Sequence, residues 1–332
     1  MTTVSFPGLG LDLSIDRVAF TVGPLTIYWY GIIVVSGIIL AIAYAMHRSR
    51  EFGIDPDKLL DVAMYSVIAG IVGARIYYVA FTWDYYKEHL NEIVQIWNGG
   101  IAFYGGIIGA LVCAFLLCKL WKIPFISATD IALPCVLLGQ GIGRWGNFMN
   151  VEAFGSYTES VLRMVSPRVD EYLHMHPDLL PGFTPEEVLA MTDIPVHPTF
   201  LYESVWLILG FIVIMLYSKH RRFTGEMTLM YFAWNGFGRM FIEGLRTDSL
   251  MIGFIRVSQA LAIILVIASA IALLRLRKRV AEGTAPAWTE LVPYLEKKSE
   301  AGEAAEESVE EPGSAAEELI ADEPADEPSD EE

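Results

Sequence analysis

The 332-residue chain has only three cysteines, Cys113, Cys118 and Cys135, each in or beside an apolar run. They have no metal-like spacing and form no disulfide framework, so they read as small buried hydrophobes. Charge is scarce as well: 19% of residues are Asp, Glu, Lys or Arg, against 54% hydrophobic. No lysine or arginine precedes Arg17, so the basic n-region of a signal peptide is missing and the first apolar helix is expected to be retained. No Gly-Lys-Ser/Thr is present, which excludes a Walker phosphate loop. No internal repeat is evident, which weakens an inverted-repeat transporter. Nothing points to a cofactor, a metal ion or a nucleic-acid partner.

What the chain does have is long apolar runs, such as "WYGIIVVSGIILAIAYAM" and "VWLILGFIVIMLY", and a mean hydropathy of +0.43. Each run approaches the roughly 20 residues that carry a helix across the hydrocarbon core. The expected fold class is an all-α integral membrane protein with about seven transmembrane helices. The spans fall near 26–46, 60–81, 101–121, 128–147, 199–218, 226–245 and 252–274.

Basic residues then set an orientation. Arg48, Arg50 and Lys58 follow span one, Lys119 and Lys122 flank the turn at the end of span three, Lys219, Arg221 and Arg222 follow span five, and Arg275, Arg277, Lys278 and Arg279 follow span seven. With seven spans these clusters share one side, which places the N-terminus outside and the C-terminus in the cytoplasm. The expected organisation is an external N-terminal segment (1–25), helices one to four (26–155), a small external head (156–197), helices five to seven (198–275) and a cytoplasmic basic stub with an acidic tail (276–332). In the head, "FTPEEVLAM" carries Thr184, Pro185 and Glu187 in capping-box register, which predicts a short helix. The net charge of −17 belongs mostly to the tail: from Gly283 onward there are seventeen acidic residues and two lysines. With few large apolar residues, that segment is expected to be disordered.

Inside or at the edges of the spans, charged side chains are costly and mark functional sites. They are Arg75, Arg144, Glu152, Glu203, Arg239, Glu243 and Arg246. A guanidinium stays charged and presents a planar fork to phosphate or carboxylate. A cavity lined by Arg75, Arg144 and Arg239 would suit a phospholipid phosphate. The alternative is internal pairing, Arg239 with Glu243 at i, i+4 or Arg144 with a facing glutamate. Arg144 lies in "GIGRWG", residues 141–146, literally G-x-G-x-x-G. As a dinucleotide fingerprint it fails, because a Rossmann strand, a βαβ unit and an acidic ribose partner are missing. Its glycines, like Gly73, Gly105, Gly109 and Gly139, read as close helix contacts.

The stretch "GRWGNFMNVEAFG", residues 143–155, resembles the signature of the prolipoprotein diacylglyceryl transferase family, approximately G-R-x-G-N-F-x-N-x-E-x-x-G. "YWYG" at 28–31, "GARIYYV", "NGGIAFYGGIIG", "HPTFLYE" at 197–203 and "GRMFIEGLR" at 238–246 match further family motifs in order, over roughly residues 20–275. The resemblance implies an enzyme of the bacterial cytoplasmic (inner) membrane. It would transfer the diacylglyceryl group of phosphatidylglycerol to the lipobox cysteine of a prolipoprotein, form a thioether and release glycerol phosphate, the first step of lipoprotein maturation. By motif, Arg144 matches the family's lipid-binding arginine and Arg239 a second essential one. Asn147, Glu152 and Gly155 fall in the signature, Tyr30 in the first-span motif and His197 in the fifth. Arg75, Glu243 and Arg246 complete the expected substrate-binding set.

The chemistry asks for fixed donors at the leaving phosphate, assigned to Arg144 and Arg239. Asn147 can donate to a phosphate or glycerol oxygen, and Glu152 can orient an arginine. The thiol, with an unperturbed pKa of about 8.5, needs a base or a stabilised thiolate. Many family members have F-H-G-G in the third span, with the histidine suggested as base; here Tyr104 stands in "FYGG". A phenol, with a reference pKa of about 10, is a poor base at neutral pH unless a cation lowers it. The base is Tyr104, His197, another group or none. The competing readings are a polytopic transporter of an anionic substrate and a non-catalytic membrane scaffold.

Overall fold

The computed structural model describes residues 1–246, 251–252 and 255–286, so most of the acidic tail lies outside the described residues. The protein is mostly helical. β1 (Thr2–Phe6), β2 (Leu11–Ile15), β3 (Val18–Val22) and β4 (Leu25–Tyr28) precede α1 (Trp29–Ser49), α2 (Pro56–Phe81), α3 (Trp83–Tyr86), α4 (Phe103–Leu120) and α5 (Phe125–Asn150). Then follow α6 (Pro167–Met175), α7 (Pro185–Ala190), α8 (Thr199–Tyr217), α9 (Glu226–Leu245), β5 (Met251–Ile252), β6 (Ile255–Arg256) and α10 (Val257–Ala281).

Among the described residues, seven helices stand where long spans were expected, and six of them are long and apolar enough to cross a membrane. The seventh, α9, occupies the expected 226–245 but falls short in hydropathy, because Asn235, Arg239 and Glu243 interrupt its apolar run. It packs against α5, α8 and α10, where those polar groups can face protein. α10 begins at Val257, later than the expected 252, because Met251–Ile252 pairs with Ile255–Arg256 as a two-stranded antiparallel ladder.

Glycine decides which helices touch. A Cβ on Gly105 of α4 would lie 2.5 Å from the Gly73 carbonyl oxygen of α2, and one on Gly37 of α1 2.9 Å from the Gly139 carbonyl oxygen of α5. Backbones this close exclude any larger residue and fix the α2–α4 and α1–α5 pairs by van der Waals contact. α5 is the hub, packing on α1, α8 and α9. Its N-terminal half is tied to α9 by Asp130, whose carboxylate accepts from the backbone N–H groups of Gly225 (2.6 Å) and Thr228 (2.8 Å). Those donors are otherwise unsatisfied at a helix start.

The sequence reading contains no strands, yet antiparallel pairs β1–β2 and β3–β4 precede α1. The first pair packs on the segment between α5 and α8: Ser5 bridges Val165, and Val4 and Phe6 join Phe148, Phe154, Val169 and Leu173 in one buried cluster. The expected short helix is α7, with both bonds of the capping box formed: Thr184 Oγ1 accepts from Glu187 N–H, and Glu187 Oε2 accepts from Thr184 N–H at 2.7 Å. That backbone N–H holds the Glu187 carboxyl below its ordinary pKa. A depressed carboxylate pKa stabilises the fold above the unfolded value, about 4.3, and the contribution is lost as pH falls through the folded value. Amide hydrogen exchange should therefore show α7 losing protection below about pH 4 while α8 keeps its own. Unchanged α7 protection there would contradict the cap.

Candidate active site

The signature stretch ends α5 and then turns sharply. Val151 (φ 52°) and Ala153 (φ 55°) both adopt left-handed backbone, which is costly for a β-branched valine and persists only where surrounding structure enforces it. The turn brings Glu152 back over the last turn of α5, where its Oε1 accepts from Asn147 Nδ2 (2.9 Å) and Asn150 Nδ2 (3.2 Å). Glu152 was expected to orient an arginine; the structure makes it orient Asn147, whose Oδ1 in turn accepts from Arg144 Nη1 at 3.5 Å.

Arg144 faces a cavity of about 490 Å³ between α1, α5, α8 and α9. Tyr30, Val34, Ile38 and Ala41 line it along α1, and Val136, Gly139, Gln140, Gly143, Arg144 and Asn147 along α5. Eleven residue steps along each helix correspond to a slot roughly 16 Å deep. Its polarity is graded. Tyr30, Asn147, Arg144, Glu203, Arg239 and Glu243 occupy one end, whereas Ala41, Val67 and Val136 make the other end apolar.

Ion pairs fix the polar end. Glu203 of α8 pairs through Oε2 with Arg144 Nη2 and accepts through Oε1 from Arg246 Nη1 at 3.2 Å. Arg239 Nη2 donates to Glu243 Oε2 at 3.1 Å, one turn further along α9. Both pairings considered from sequence are thus formed, and the arginines still line the cavity. Arg239 remains 42% exposed, twice the 21% of Arg144, so its guanidinium keeps a face open to a ligand.

The glycines of "GIGRWG" have three separate jobs. A Cβ on Gly141 would meet Ile208 of α8 at 2.8 Å, and one on Gly146 would meet the Tyr30 ring at 2.9 Å. Gly143 has only Val34 near it, at 3.9 Å, and leaves the cavity beside Arg144 open. Gly155 is packed tightly: a Cβ there would lie 2.7 Å from His197 Cβ and 2.8 Å from the Leu245 carbonyl oxygen. Its N–H donates to the His197 carbonyl at 2.8 Å, and the chain at Gly155 bridges Arg246. Gly155 therefore holds Arg246 in place through the backbone.

Six expected residues do not line this cavity: Glu152 and Arg246 bond residues that do, Gly155 backs Arg246, and Arg75, His197 and Tyr104 lie elsewhere. Arg75 does not line the cavity; Nε, Nη1 and Nη2 donate to the carbonyls of Ile93 (2.8 Å), Gly99 (2.8 Å), Gly100 (2.7 Å) and Glu92 (2.6 Å). With every guanidinium nitrogen engaged by backbone and the Tyr86 ring 5.1 Å away, it anchors the loop between α2 and α4. His197 also lies off the cavity, with Nδ1 3.3 Å from the Tyr202 hydroxyl, and burial pushes its pKa down, so the ring is neutral at pH 7. It serves as a packing and hydrogen-bonding anchor. Tyr104 lines a second, smaller chamber of about 210 Å³, which shares Phe103, Gln140, Asn235 and Arg239 with the first.

The sequence reading gave no part to Gln140, Asn235 or Trp206, and named Glu203 without a role. Gln140 and Asn235 each stand four residues before a site arginine, a spacing that puts them on the same helix face and could have found them. Trp206 is held by a reciprocal bond: its Nε1 donates to the Trp234 carbonyl (3.1 Å), and Trp234 Nε1 donates to the Trp206 carbonyl (2.9 Å), with the rings stacked at 4.4 Å. Gly238 and Gly210 leave the space these rings fill. No local spacing encodes such a pair across two helices.

A family model described as prolipoprotein diacylglyceryl transferase matches residues 17–275. A phosphatidylglycerol–prolipoprotein diacylglyceryl transferase of Pediococcus pentosaceus is 44% identical over 268 residues, covering 80% of this chain and 91% of that protein. Proteins of the same name from Staphylococcus aureus (44%) and Listeria welshimeri (41%) match over 256 and 255 residues, each covering 77% of this chain and 87% of the relative.

Proposed function

Because the chain belongs to the prolipoprotein diacylglyceryl transferase family, we propose that it transfers the diacylglyceryl group of phosphatidylglycerol to the lipobox cysteine of a prolipoprotein. The observation that carries this reading is the graded slot: arginines at one end suit a phosphate, and the apolar end suits an acyl chain. The cysteine sulfur attacks the glycerol carbon that bears the phosphodiester oxygen. A C–S bond forms, the C–O bond breaks, and its electrons leave on glycerol phosphate. Arg144 and Arg239 stabilise the charge that gathers on that phosphate, in a site where low dielectric strengthens each contact. Asn147, oriented by Glu152, donates to a phosphate or glycerol oxygen. Tyr30 and Glu243 complete the polar end of the slot, and Arg246 holds Glu203 from behind it.

The thiol proton leaves before or during attack. Tyr104 shares the smaller chamber with Arg239, which supports a part for its ring. Tyr104→Phe is expected to lower turnover by two orders of magnitude or more, the scale of general base catalysis, with Tyr104→His retaining most of it. Normal turnover in Tyr104→Phe would remove this ring from the chemistry.

The protein sits in the bacterial inner membrane with its N-terminus and the 156–197 head outside and its C-terminus in the cytoplasm. The basic clusters at the ends of the spans support that orientation. Contacts between two of them agree with one shared side: Arg48 Nη2 donates to Ser218 Oγ (2.9 Å), and Arg221 Nη2 donates to the Glu51 carbonyl (2.6 Å). The reading is tested by incubating purified protein with phosphatidylglycerol and a peptide bearing an L-x-x-C lipobox. Glycerol phosphate release together with a thioether-linked peptide is expected; folded protein that releases none contradicts it.

A further inference from the structure

One helical turn below the arginines lies a second polar tier. Gln140 is four residues before Arg144 on α5, and Asn235 four before Arg239 on α9. Both side chains line the large cavity and also the smaller chamber, so they stand at the seam between the two. Asn235 Nδ2 donates to Gln140 Oε1 at 3.3 Å and lies 3.4 Å from the Tyr231 hydroxyl. That bond uses one lone pair of the Gln140 oxygen and leaves its amide N–H groups, open to the cavity, with no partner among the described residues. Just below this tier the wall is Gly139, Val136, Ile38 and Ala41, which offers no acceptor side chain. Amide donors at membrane depth are costly unless bonded. They call for a ligand that brings acceptors.

We infer that Gln140, oriented by Asn235, forms a subsite for the ester carbonyls of the diacylglycerol moiety. The inference rests on the phospholipid reading of the cavity and specifies how deep the lipid is held. Four residues of helix rise about 6 Å. From the phosphorus of a glycerophospholipid to the nearest ester carbonyl carbon is a path of five single bonds, which also spans about 6 Å when extended. With the phosphate between Arg144 and Arg239, an ester carbonyl therefore comes level with Gln140. Holding both ends fixes the carbon between them, the one the sulfur attacks. Such positioning raises the rate only when the reacting carbon is held in line. Asn235 is the positioning residue of the pair and Gln140 the one that touches the lipid.

The test compares ester-linked phosphatidylglycerol with its dialkyl ether analogue, identical in chains and headgroup but lacking both carbonyls. Each is presented in mixed micelles with the lipobox peptide, and kcat/KM is read from glycerol phosphate release. The wild-type protein should prefer the ester by roughly tenfold or more, the scale of one or two well-placed hydrogen bonds. In Gln140→Met and in Asn235→Leu the ester rate should fall towards the ether rate, while the ether rate stays near its wild-type value. Equal turnover of the two lipids by the wild type overturns the inference and leaves the transferase reading standing. So does a variant that loses both rates in proportion, since that is the behaviour of a purely structural amide pair between α5 and α9. If a variant does not fold, the wild-type comparison decides alone. Absence of turnover with the ester lipid overturns the transferase reading, and this inference with it.

Discussion

Arg144→Lys is expected to lower glycerol phosphate release by two orders of magnitude or more, with the protein still folded. The guanidinium does two jobs at once: Nη2 pairs with Glu203, and Nη1 reaches Asn147 at 3.5 Å on the face that lines the cavity. A lysine ammonium is a point charge on a flexible stem and cannot hold the carboxylate and a phosphate together in one plane. Loss of one fixed donor at a developing negative charge typically costs on the order of 10²–10³ in rate. The check is kcat/KM for phosphatidylglycerol beside a thermal melt of the same preparation. Near-normal turnover would argue that Arg144 is structural and that the phosphate is bound elsewhere.

Glu203→Gln is expected to have an effect of similar size, through a different cause. Glu203 is 11% exposed and is shared by Arg144 of α5 and Arg246 just past α9, so one carboxylate ties three segments at the polar end of the cavity. Removing one partner of a buried pair leaves charge uncompensated and costs about 3–5 kcal/mol. The variant should therefore melt at a lower temperature and lose at least about a hundredfold in turnover, because Arg144 is no longer held. A cycle with Arg246→Gln separates the two effects. The double variant should recover part of the melting temperature and none of the activity. A Glu203→Gln protein with wild-type turnover would remove the carboxylate from the site altogether.

Length and apolarity made the helices legible. The run at 199–218 coincides with Thr199–Tyr217, because a long uninterrupted apolar stretch has few other ways to satisfy its backbone in a membrane; the run at 226–245 coincides with α9 although polar residues interrupt it. The short strands were missed although β2, LDLSI, alternates apolar and polar residues over five positions, the pattern of a half-buried strand; β1, β3 and β4 are as short and alternate less clearly. The late start of α10 depends on a two-residue ladder that no periodicity announces.

In the site, the signature residues Arg144 and Asn147 and the distant Arg239 and Glu243 do come together around one cavity. Arg75 was misleading because its residue type matches a phosphate ligand while its partners are backbone carbonyls 17 to 25 residues away, which spacing cannot encode. His197 misled for a similar reason, since a titratable ring beside a motif can be an anchor. Glu203 was visible as a buried charge, but its sharing between two arginines emerges only when α5, α8 and the end of α9 meet.

The most direct measurement is an experimental structure of the full-length protein with phosphatidylglycerol bound. The phosphate should lie between the guanidinium groups of Arg144 and Arg239, with an acyl chain running toward Ala41 and Val136. A phosphate seated at Arg75 or at Arg17, with the Arg144 cavity free of lipid, would contradict it.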